Sequence, residues 1–217
     1  MTEFVVLGAG GHARVLVEAL RRSSIVVSGF VTDTMETPVG NMAEMTRLGS
    51  DAELMNRPRN SVLLINGIGT TGDPHRRRAV FEKFRAAGFS FATVVHPSAV
   101  LAGDVILGEG AQIMAGAFVQ PGARIGANTI VNTGAIVDHD SAIGDHVHLA
   151  PGACFAADVV CGASSHVGAG ATVIQGIRIG ADALIAAGAV VVDDVAAGAV
   201  VMGIPARPMR RPTRKGS

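Results

Sequence analysis

Apolar residues recur at every sixth position over the second half of the chain, with glycines and small residues between them. From Leu101 to Val191, sixteen consecutive positions of this ladder are apolar. A second ladder, two residues earlier in each hexad, holds small or β-branched residues. A period of six is neither the period of an α-helix nor the alternation of a plain strand. It is typical of a parallel β-helix, in which short strands alternate with turns.

Three hexads make one eighteen-residue coil, so the sixteen hexads predict about five coils. We expect these coils to stack at the spacing of β-strands, ~4.8 Å. A narrow triangular core explains the two ladders, because a long aliphatic side chain fits each side and only a small one fits near a corner. The frequent glycines serve the turns, where a positive φ is needed.

The first half begins with the order strand, glycine turn, helix. A short apolar strand over Phe4–Leu7 runs into the segment GAGGHA at 8–13, and a helical pattern follows over Arg14–Arg22. In such a turn Gly8 permits the tight bend, Gly10 allows close backbone approach, and the helix N-terminus favours an anion. A dinucleotide site is the first interpretation of this motif. The alternative is a glycine turn that only packs the strand on the helix.

Further strands are predicted over 25–31, 61–66 and 91–95, and a further helix over 74–87. The second strand ends in Thr32-Asp33, where an acidic residue commonly meets a ribose. Only about 95 residues precede the repeat, which gives a half-sized Rossmann unit with room for one mononucleotide. The predicted organisation is an α/β half-Rossmann domain at 1–97, a β-helix at 98–205 and a basic tail at 206–217.

The composition mainly argues against certain classes of protein. The 18 basic and 18 acidic residues cancel, so nothing drives the chain toward nucleic acid or a membrane surface. The longest apolar runs are about half of the roughly 20 residues that a membrane span needs. The start does not look like a signal peptide, and Cys154 and Cys161 fit neither a zinc site nor a redox pair. We therefore expect a cytoplasmic protein that binds neither nucleic acid nor membrane.

Candidate chemistry concentrates in one segment of the repeat. Asp138-His139-Asp140 occupies a turn, and Asp145, His146 and His148 follow soon after. A carboxylate beside a histidine orients the ring and raises its basicity, so this turn is a candidate general base. Histidine and aspartate could also bind a metal, or the residues could be solvated turn residues with no role.

Four segments carry a resemblance to a known family: GAGGHA at the start, HPSA at 96–99, NTGAIVDHD at 132–140 and GIPAR at 203–207. The chain resembles the hexapeptide-repeat, or left-handed β-helix, sugar acetyltransferases. This family includes sialic acid O-acetyltransferase and the bacterial N-acetyltransferases of nucleotide-linked 4-amino sugars. The resemblance implies a left-handed β-helix, a homotrimer and acetyl-CoA bound between adjacent β-helices.

The resemblance also implies roles for residues. His139 falls on the family's general base and Asp140 on its partner. The acetyl-CoA contacts fall on His148, Ala157, Ala169 and Ala187. The nucleotide-sugar contacts fall on the glycine turn and the end of the second strand, namely Gly8, Gly10, Gly11, His12, Thr32 and Asp33. Asn132 touches the acceptor or belongs to a buried asparagine ladder.

The predicted function is acetyl-CoA-dependent N-acetylation of a UDP-, GDP- or dTDP-linked amino sugar, by direct attack on the thioester and without a metal. O-acetylation of sialic acid or a related sugar is the nearest alternative. A non-catalytic nucleotide-sugar-binding protein and a metal-dependent β-helix enzyme are more distant ones. The basic tail could contact CoA phosphates or be a frayed terminus.

Overall fold

The computed structural model of the chain describes residues 2–34, 37–70 and 74–209. The N-terminal part is a four-stranded parallel sheet in the order β2-β1-β3-β4. Its strands are β1 (Glu3–Leu7), β2 (Val27–Val31), β3 (Val62–Asn66) and β4 (Ser90–Phe91). Its helices are α1 (Gly11–Arg22), α2 (Asp51–Met55) and α3 (Pro74–Ala86), with short 3₁₀ turns at Gly40–Met42 and Arg59–Ser61.

Helices cover both faces of this sheet. Leu16 and Leu20 of α1 pack on Val6 and Ile65 in one buried cluster. Phe81 and Phe84 of α3 pack on Leu7 and Leu64 in another. The β-strands are buried on both sides, as expected for a parallel sheet between helix layers.

The second part is a parallel β-solenoid with three faces. The first face holds Val94–Val95, Gln112–Ile113, Ile130–Val131, His148–Leu149, His166–Val167, Leu184–Ile185 and Val200–Met202, with Arg207–Pro208 added antiparallel. The second face holds Val100–Leu101, Phe118–Val119, Ile136–Val137, Cys154–Phe155, Thr172–Val173 and Val190–Val191. The third face holds Ile106–Leu107, Arg124–Ile125, Ala142–Ile143, Val160–Cys161 and Arg178–Ile179.

Strand register confirms the eighteen-residue coil. Ile130 pairs with Gln112 on one side and with His148 on the other. The sequence predicts about five coils, whereas the solenoid has about six turns. The difference lies at the ends: Val94–Val95 already pairs with Gln112–Ile113, and the last turn is two residues short, so that Ile185 pairs with Val201.

Turns between the faces form three corners that are used below. The first corner joins the first face to the second and includes 132–135, 168–171 and 186–189. The second corner joins the second face to the third and includes 138–141 and 156–159. The third corner joins the third face to the first and includes 126–129 and 144–147.

Polar residues in the inner ladder are satisfied within the solenoid. Thr129, Ser141 and Ser165 are buried at positions otherwise held mainly by alanine. Each hydroxyl donates to a turn carbonyl fifteen residues further on, at 2.8 to 3.2 Å. A buried hydroxyl with a partner costs little, so these residues fit the narrow corner without weakening the core.

Hydrogen bonding passes from the N-terminal sheet to the solenoid between Ala92 and Val94, a few residues before the predicted boundary at 97. Met114 and Ile130 of the solenoid pack into the α1 side of the N-terminal core. The two parts therefore share a buried contact. Among the described residues, none forms a helix that is long and apolar enough to cross a membrane.

Candidate active site

A cleft of about 270 Å³ opens at the carboxyl ends of β1, β2 and β3. The predicted residues that line it are Gly8, Gly10, Gly11, His12 and Thr32. The cleft has further lining residues that were not predicted from the sequence: Ala9, Thr34, Gly67, Ile68, Gly69 and Arg76. The segment Gly67-Ile68-Gly69 follows a predicted strand. This glycine-rich position is the sequence signal that could have identified the segment as part of the cleft.

Glycine occupies the different positions of the cleft for different structural reasons. Gly8 has φ +88°, a conformation that favours glycine, and it meets Ile68 closely. A Cβ at Gly10 or Gly11 would meet nothing within 4 Å. The backbone conformation therefore favours glycine at position 8, whereas Gly10 and Gly11 leave open space beside the start of α1.

Asp33 lies next to the cleft without lining it. Its side chain is exposed, and its Oδ1 accepts the backbone N–H of Asp51 at 3.0 Å, at the start of α2. The neighbouring Thr32 is buried, and its hydroxyl contacts the hydroxyl of Thr34 at 3.0 Å. Contact between Asp33 and a ribose stays a prediction.

His12 connects the cleft to the solenoid. The amide of Gln112 donates to the backbone carbonyl of Asn66 at 2.9 Å, which leaves its Oε1 to accept from His12 Nε2 at 2.7 Å. Burial and the nearby Arg77 lower the pKa of His12 to about 4. His12 is thus neutral near pH 7, with a proton on Nε2.

Arg77 is fully buried between the two parts of the chain. Its guanidinium donates to the backbone carbonyls of Asn66, Ile68 and Asn128 at 2.8 to 3.2 Å. The Nη2 atom has no hydrogen-bond partner among the described residues. Burial lowers the pKa of Arg77 to about 9, which still leaves it charged at neutral pH. Its positive charge therefore contributes to lowering the pKa of His12 and His148.

His139 and Asp140 form the predicted pair at the second corner. Asp140 has φ +60°, which aspartate tolerates, and its Oδ2 lies 2.8 Å from His139 Nδ1. The backbone N–H of His139 donates to Asp138 Oδ1 at 2.8 Å. The hydrogen bond to Asp140 and the neighbouring carboxylates raise the pKa of His139 above its usual value. The ring is exposed, with Nε2 available to a ligand.

His148 lies on the first face, in a different environment. Its Nδ1 contacts the hydroxyl of Thr70, and its Nε2 lies 3.1 Å from the amide nitrogen of Asn132. Its ring packs edge-on against His166, with centroids 5.0 Å apart. Burial and nearby positive groups lower the pKa of His148 to about 3. Asn132, which was also predicted, lies at the first corner and orients this ring rather than joining an asparagine ladder.

The third histidine of the sequence cluster, His146, serves the domain contact. Its Nδ1 lies 3.0 Å from the amide nitrogen of Asn128, and its ring packs edge-on against Phe81 of α3. The clustered histidines therefore occupy the second corner, the third corner and the first face. These three histidines therefore do not form one site within a single chain.

The alanines predicted to contact acetyl-CoA all lie on turns. Ala169 and Ala187 are exposed on the first corner in successive coils, and Ala157 is half-buried on the second. The backbone N–H of Asp158 donates to the His139 carbonyl at 3.0 Å, so Ala157 lies one coil above His139. Within the described part of the chain, the three alanine N–H groups donate no hydrogen bond.

No three His, Cys, Asp or Glu side chains among the described residues are grouped so as to hold a metal ion. The basic tail is described only to Met209, and the remaining predicted residues, 210–217, lie outside the described residues. Within the described part, Arg207 is paired with Asp193 at 3.0 Å.

Comparison with known proteins gives relatives over both parts of the chain. The acetyltransferase domain of PglB from Neisseria gonorrhoeae superposes with a TM-score of 0.89 and 31% identity, covering 96% of this chain and 100% of that domain. It has also been solved with acetyl coenzyme A. A histidine-to-asparagine variant of perosamine N-acetyltransferase from Caulobacter crescentus, solved with CoA and GDP-perosamine, gives 0.88 and 36% over 97% and 98%.

A curated relative, the UDP-N-acetylbacillosamine N-acetyltransferase of Bacillus subtilis strain 168, is 35% identical over 116 residues. That match covers 53% of this chain and about half, 52%, of the relative. No protein-family model matches the chain. The full-length similarity to the two solved acetyltransferases nevertheless shows that the chain belongs to the hexapeptide-repeat sugar acetyltransferases, the family of the nucleotide-amino-sugar N-acetyltransferases.

Proposed function

We propose that the protein transfers the acetyl group of acetyl-CoA to the amino group of a nucleotide-linked sugar. One observation carries the proposal: three residues of the cleft, Gly67 to Gly69, lead directly to Thr70, which contacts His148 on the solenoid. A nucleotide held in the cleft therefore lies beside the face where the resemblance expects the thioester. Two relatives that match over both parts are N-acetyltransferases of this type or bind acetyl-CoA.

The cleft suits the nucleotide part of the substrate. It lies at the ends of parallel strands where the chain crosses from β1 to opposite sides of the sheet, the usual ligand position in a Rossmann-like unit. No described side chain caps α1, so its first N–H groups are left to bind an anion. The space beside Gly10 and Gly11 lets a phosphate approach, and Arg76 adds a positive charge. These features favour ligand binding over a purely packing glycine turn.

The acetyl-transfer site needs a second copy of the chain. The second face is flanked by the first corner, with Asn132, and by the second corner, with His139. Its outward side chains include Val100, Phe118 and Ile136, which are 53%, 41% and 38% exposed. Burying this apolar ladder against equivalent ladders around a threefold axis brings the first corner of one copy to the second corner of the next. We propose this homotrimer of left-handed β-helices as the active form.

Acetyl-CoA fits the groove that such a trimer creates. The pantetheine chain runs along the first corner, past Ala169 and Ala187, where the small side chains are exposed and the two backbone N–H groups donate to no described residue. Asn132 and His148 of the same chain border the thioester. His139 and Ala157 come from the neighbouring copy.

His139 is the proton acceptor in this reaction. The sugar nitrogen attacks the thioester carbonyl carbon, and His139 takes a proton from that nitrogen. The negative charge that develops on the carbonyl oxygen is held by the N–H of Ala157. The tetrahedral intermediate then collapses: the carbonyl reforms, the C–S bond breaks, and CoA leaves as the thiolate. Asp140 stabilises the protonated ring through Nδ1. We also propose a cytoplasmic location, with which the two free cysteine thiols agree.

A thiol-release assay with acetyl-CoA tests the proposal. The panel contains UDP-, GDP- and dTDP-linked 4-amino-6-deoxy sugars and free sialic acid, with His139→Ala as the control enzyme. We expect release with one nucleotide amino sugar, dependent on His139. Release only with sialic acid would replace the proposal by O-acetylation. Binding of acetyl-CoA and a nucleotide sugar without turnover would indicate a non-catalytic binding protein.

A further inference from the structure

The loop segment 67–70, which leads from the cleft to the solenoid, is held from inside the protein. Arg77 donates to the carbonyls of Asn66 and Ile68, and the side chain of Asn66 accepts from the N–H of Ile68 at 3.2 Å. A Cβ at Gly67 would come within 2.7 Å of the Leu7 carbonyl. The loop therefore has a fixed path from the cleft to the solenoid, and Thr70 is placed at its end.

Asn132 and Thr70 contact the two nitrogens of the His148 ring and together fix its state. The Oδ1 of Asn132 accepts the N–H of Thr133 at 2.8 Å, so its amide nitrogen faces His148 Nε2 as a donor. Nε2 is therefore an acceptor, and the proton of the neutral ring is on Nδ1, where it is donated to the Thr70 hydroxyl. The Nε2–H tautomer, ordinarily the more stable one, is excluded by this arrangement.

We propose that Thr70 is a positioning residue for acetyl transfer: its hydroxyl accepts the Nδ1–H that Asn132 imposes on His148, holds the orientation of the ring, and so joins the nucleotide cleft to the thioester site. This role rests on the proposed function. Thr70 touches neither the reacting atoms nor His139 in this arrangement, and acts through His148.

A structural alternative is that Thr70 only helps to dock the two parts of the chain. Thr93 provides the matched control, because its hydroxyl also crosses this junction, donating to the Gly108 carbonyl at 3.1 Å. Thr93 does not line the cleft, and its hydroxyl bonds to Gly108 rather than to His148. A docking role predicts similar effects for Thr70→Val and Thr93→Val, whereas a positioning role predicts an effect for Thr70→Val alone.

The experiment combines nitrogen NMR with kinetics on the full-length assembly. Chains labelled with ¹⁵N-histidine report the tautomer of His148, which is assigned by its loss in His148→Gln. We expect the Nδ1–H form in the wild type and in Thr70→Ser. In Thr70→Val the Nδ1–H loses its acceptor, so the His148 signal should shift or broaden. In Thr70→Val, kcat/KM for acetyl-CoA should fall about two- to tenfold, the range for one hydrogen bond. Thr70→Ser should retain most of it, and Thr93→Val should be unchanged.

Three results would overturn the role. They are an Nε2–H ring in the wild type, a His148 signal unchanged by Thr70→Val, or a changed signal with unchanged kinetics. An active wild type with any of these results removes only the role of Thr70. A wild type without turnover on any acceptor removes the proposed function, and the role of Thr70 falls with it.

Discussion

His139 at the second corner and His148 at the contact between the two parts of the chain are chemically the same residue in opposite electrostatic surroundings. The His139 ring is exposed and has Asp138, Asp140 and Asp158 nearby, which raise its pKa. The His148 ring is buried, with Arg77 and two other histidines nearby, and its pKa falls to about 3. His12 is also buried and close to Arg77, and its pKa is lowered in the same way.

This difference separates two roles. A general base must hold a proton during the reaction, so a raised pKa suits His139. A ring that stays neutral is a fixed donor and acceptor, and this suits His148 and His12 as groups that orient a substrate or a neighbour. Burial of the ring, more than the charge of Arg77, therefore keeps His148 and His12 neutral, whereas the hydrogen bond to Asp140 favours a proton on the exposed His139.

The largest effect is expected from His139→Ala. Removal of the base should lower kcat about 10²- to 10⁴-fold with little change in Tm or assembly, because the side chain is exposed. Steady-state kinetics and analytical ultracentrifugation measure both quantities. His96→Ala, on another exposed turn and bonded to Ser98, is the control and should retain activity. Retention of most turnover by His139→Ala would mean that a different group is the base.

A substitution on the second face tests whether the base needs a second copy. Phe118→Asp should separate the trimer into folded single chains that lack activity, because a charge cannot be buried in the apolar ladder without a partner. Ile106→Asp on the third face, where Ile106 is 53% exposed, is the matched control and should leave the assembly intact. Sedimentation velocity and the thiol-release assay report the two outcomes. An active single chain would contradict the shared site.

Asp140→Asn should move the pH profile. The base works only when its ring is neutral, so kcat/KM falls as the pH drops through the pKa of His139. Loss of the carboxylate lowers that pKa, and the acid limb of the variant should therefore lie at lower pH than that of the wild type. Asp104→Asn, at the same corner two coils earlier, should leave the limb unchanged. An unchanged limb in Asp140→Asn would separate the carboxylate from the base.

The smallest expected effect concerns stability below neutral pH. The folded-state pKa of His148, about 3, lies below its unfolded value near 6.5, so the unfolded chain binds more protons between these values. The contribution of His148 to stability is therefore complete above about pH 6.5 and falls as the pH drops toward 3, by at most about 1.4 kcal/mol per pH unit. Tm measured between about pH 7 and pH 5 should fall less in His148→Gln than in the wild type. Equal slopes would mean that the ring is protonated in the folded protein.

The solenoid could be predicted from the sequence because its coils repeat one short pattern sixteen times. The coil count came out low because the end turns break that pattern: Val94 precedes the ladder, and the last turn is two residues short. The His139–Asp140 pair was predictable because the two residues are adjacent. The S-x-x-E capping box at Ser50 and Glu53 also marks α2, a helix that the periodicity did not indicate.

Contacts between the two parts were not predictable. Gln112 and His12 are 100 positions apart, and Thr70 and His148 are 78 apart. Three consecutive arginines on α3 show why sequence is insufficient. Arg76 lines the cleft, Arg77 is buried, and Arg78 pairs with Glu82 at 2.7 Å, yet no local signal distinguishes them. Only the packing of α3 against the solenoid assigns these roles.

Mixed trimers test the central claim, a site shared between two copies, most directly. One chain carries His139→Ala, the other carries His12→Ala with His148→Ala, and two different affinity tags isolate assemblies that contain both. Each mixed trimer then has one intact site, so we predict about a third of the wild-type turnover per trimer, while each variant alone is inactive. Mixed trimers as inactive as the separate variants would place the whole site within one chain and contradict the account.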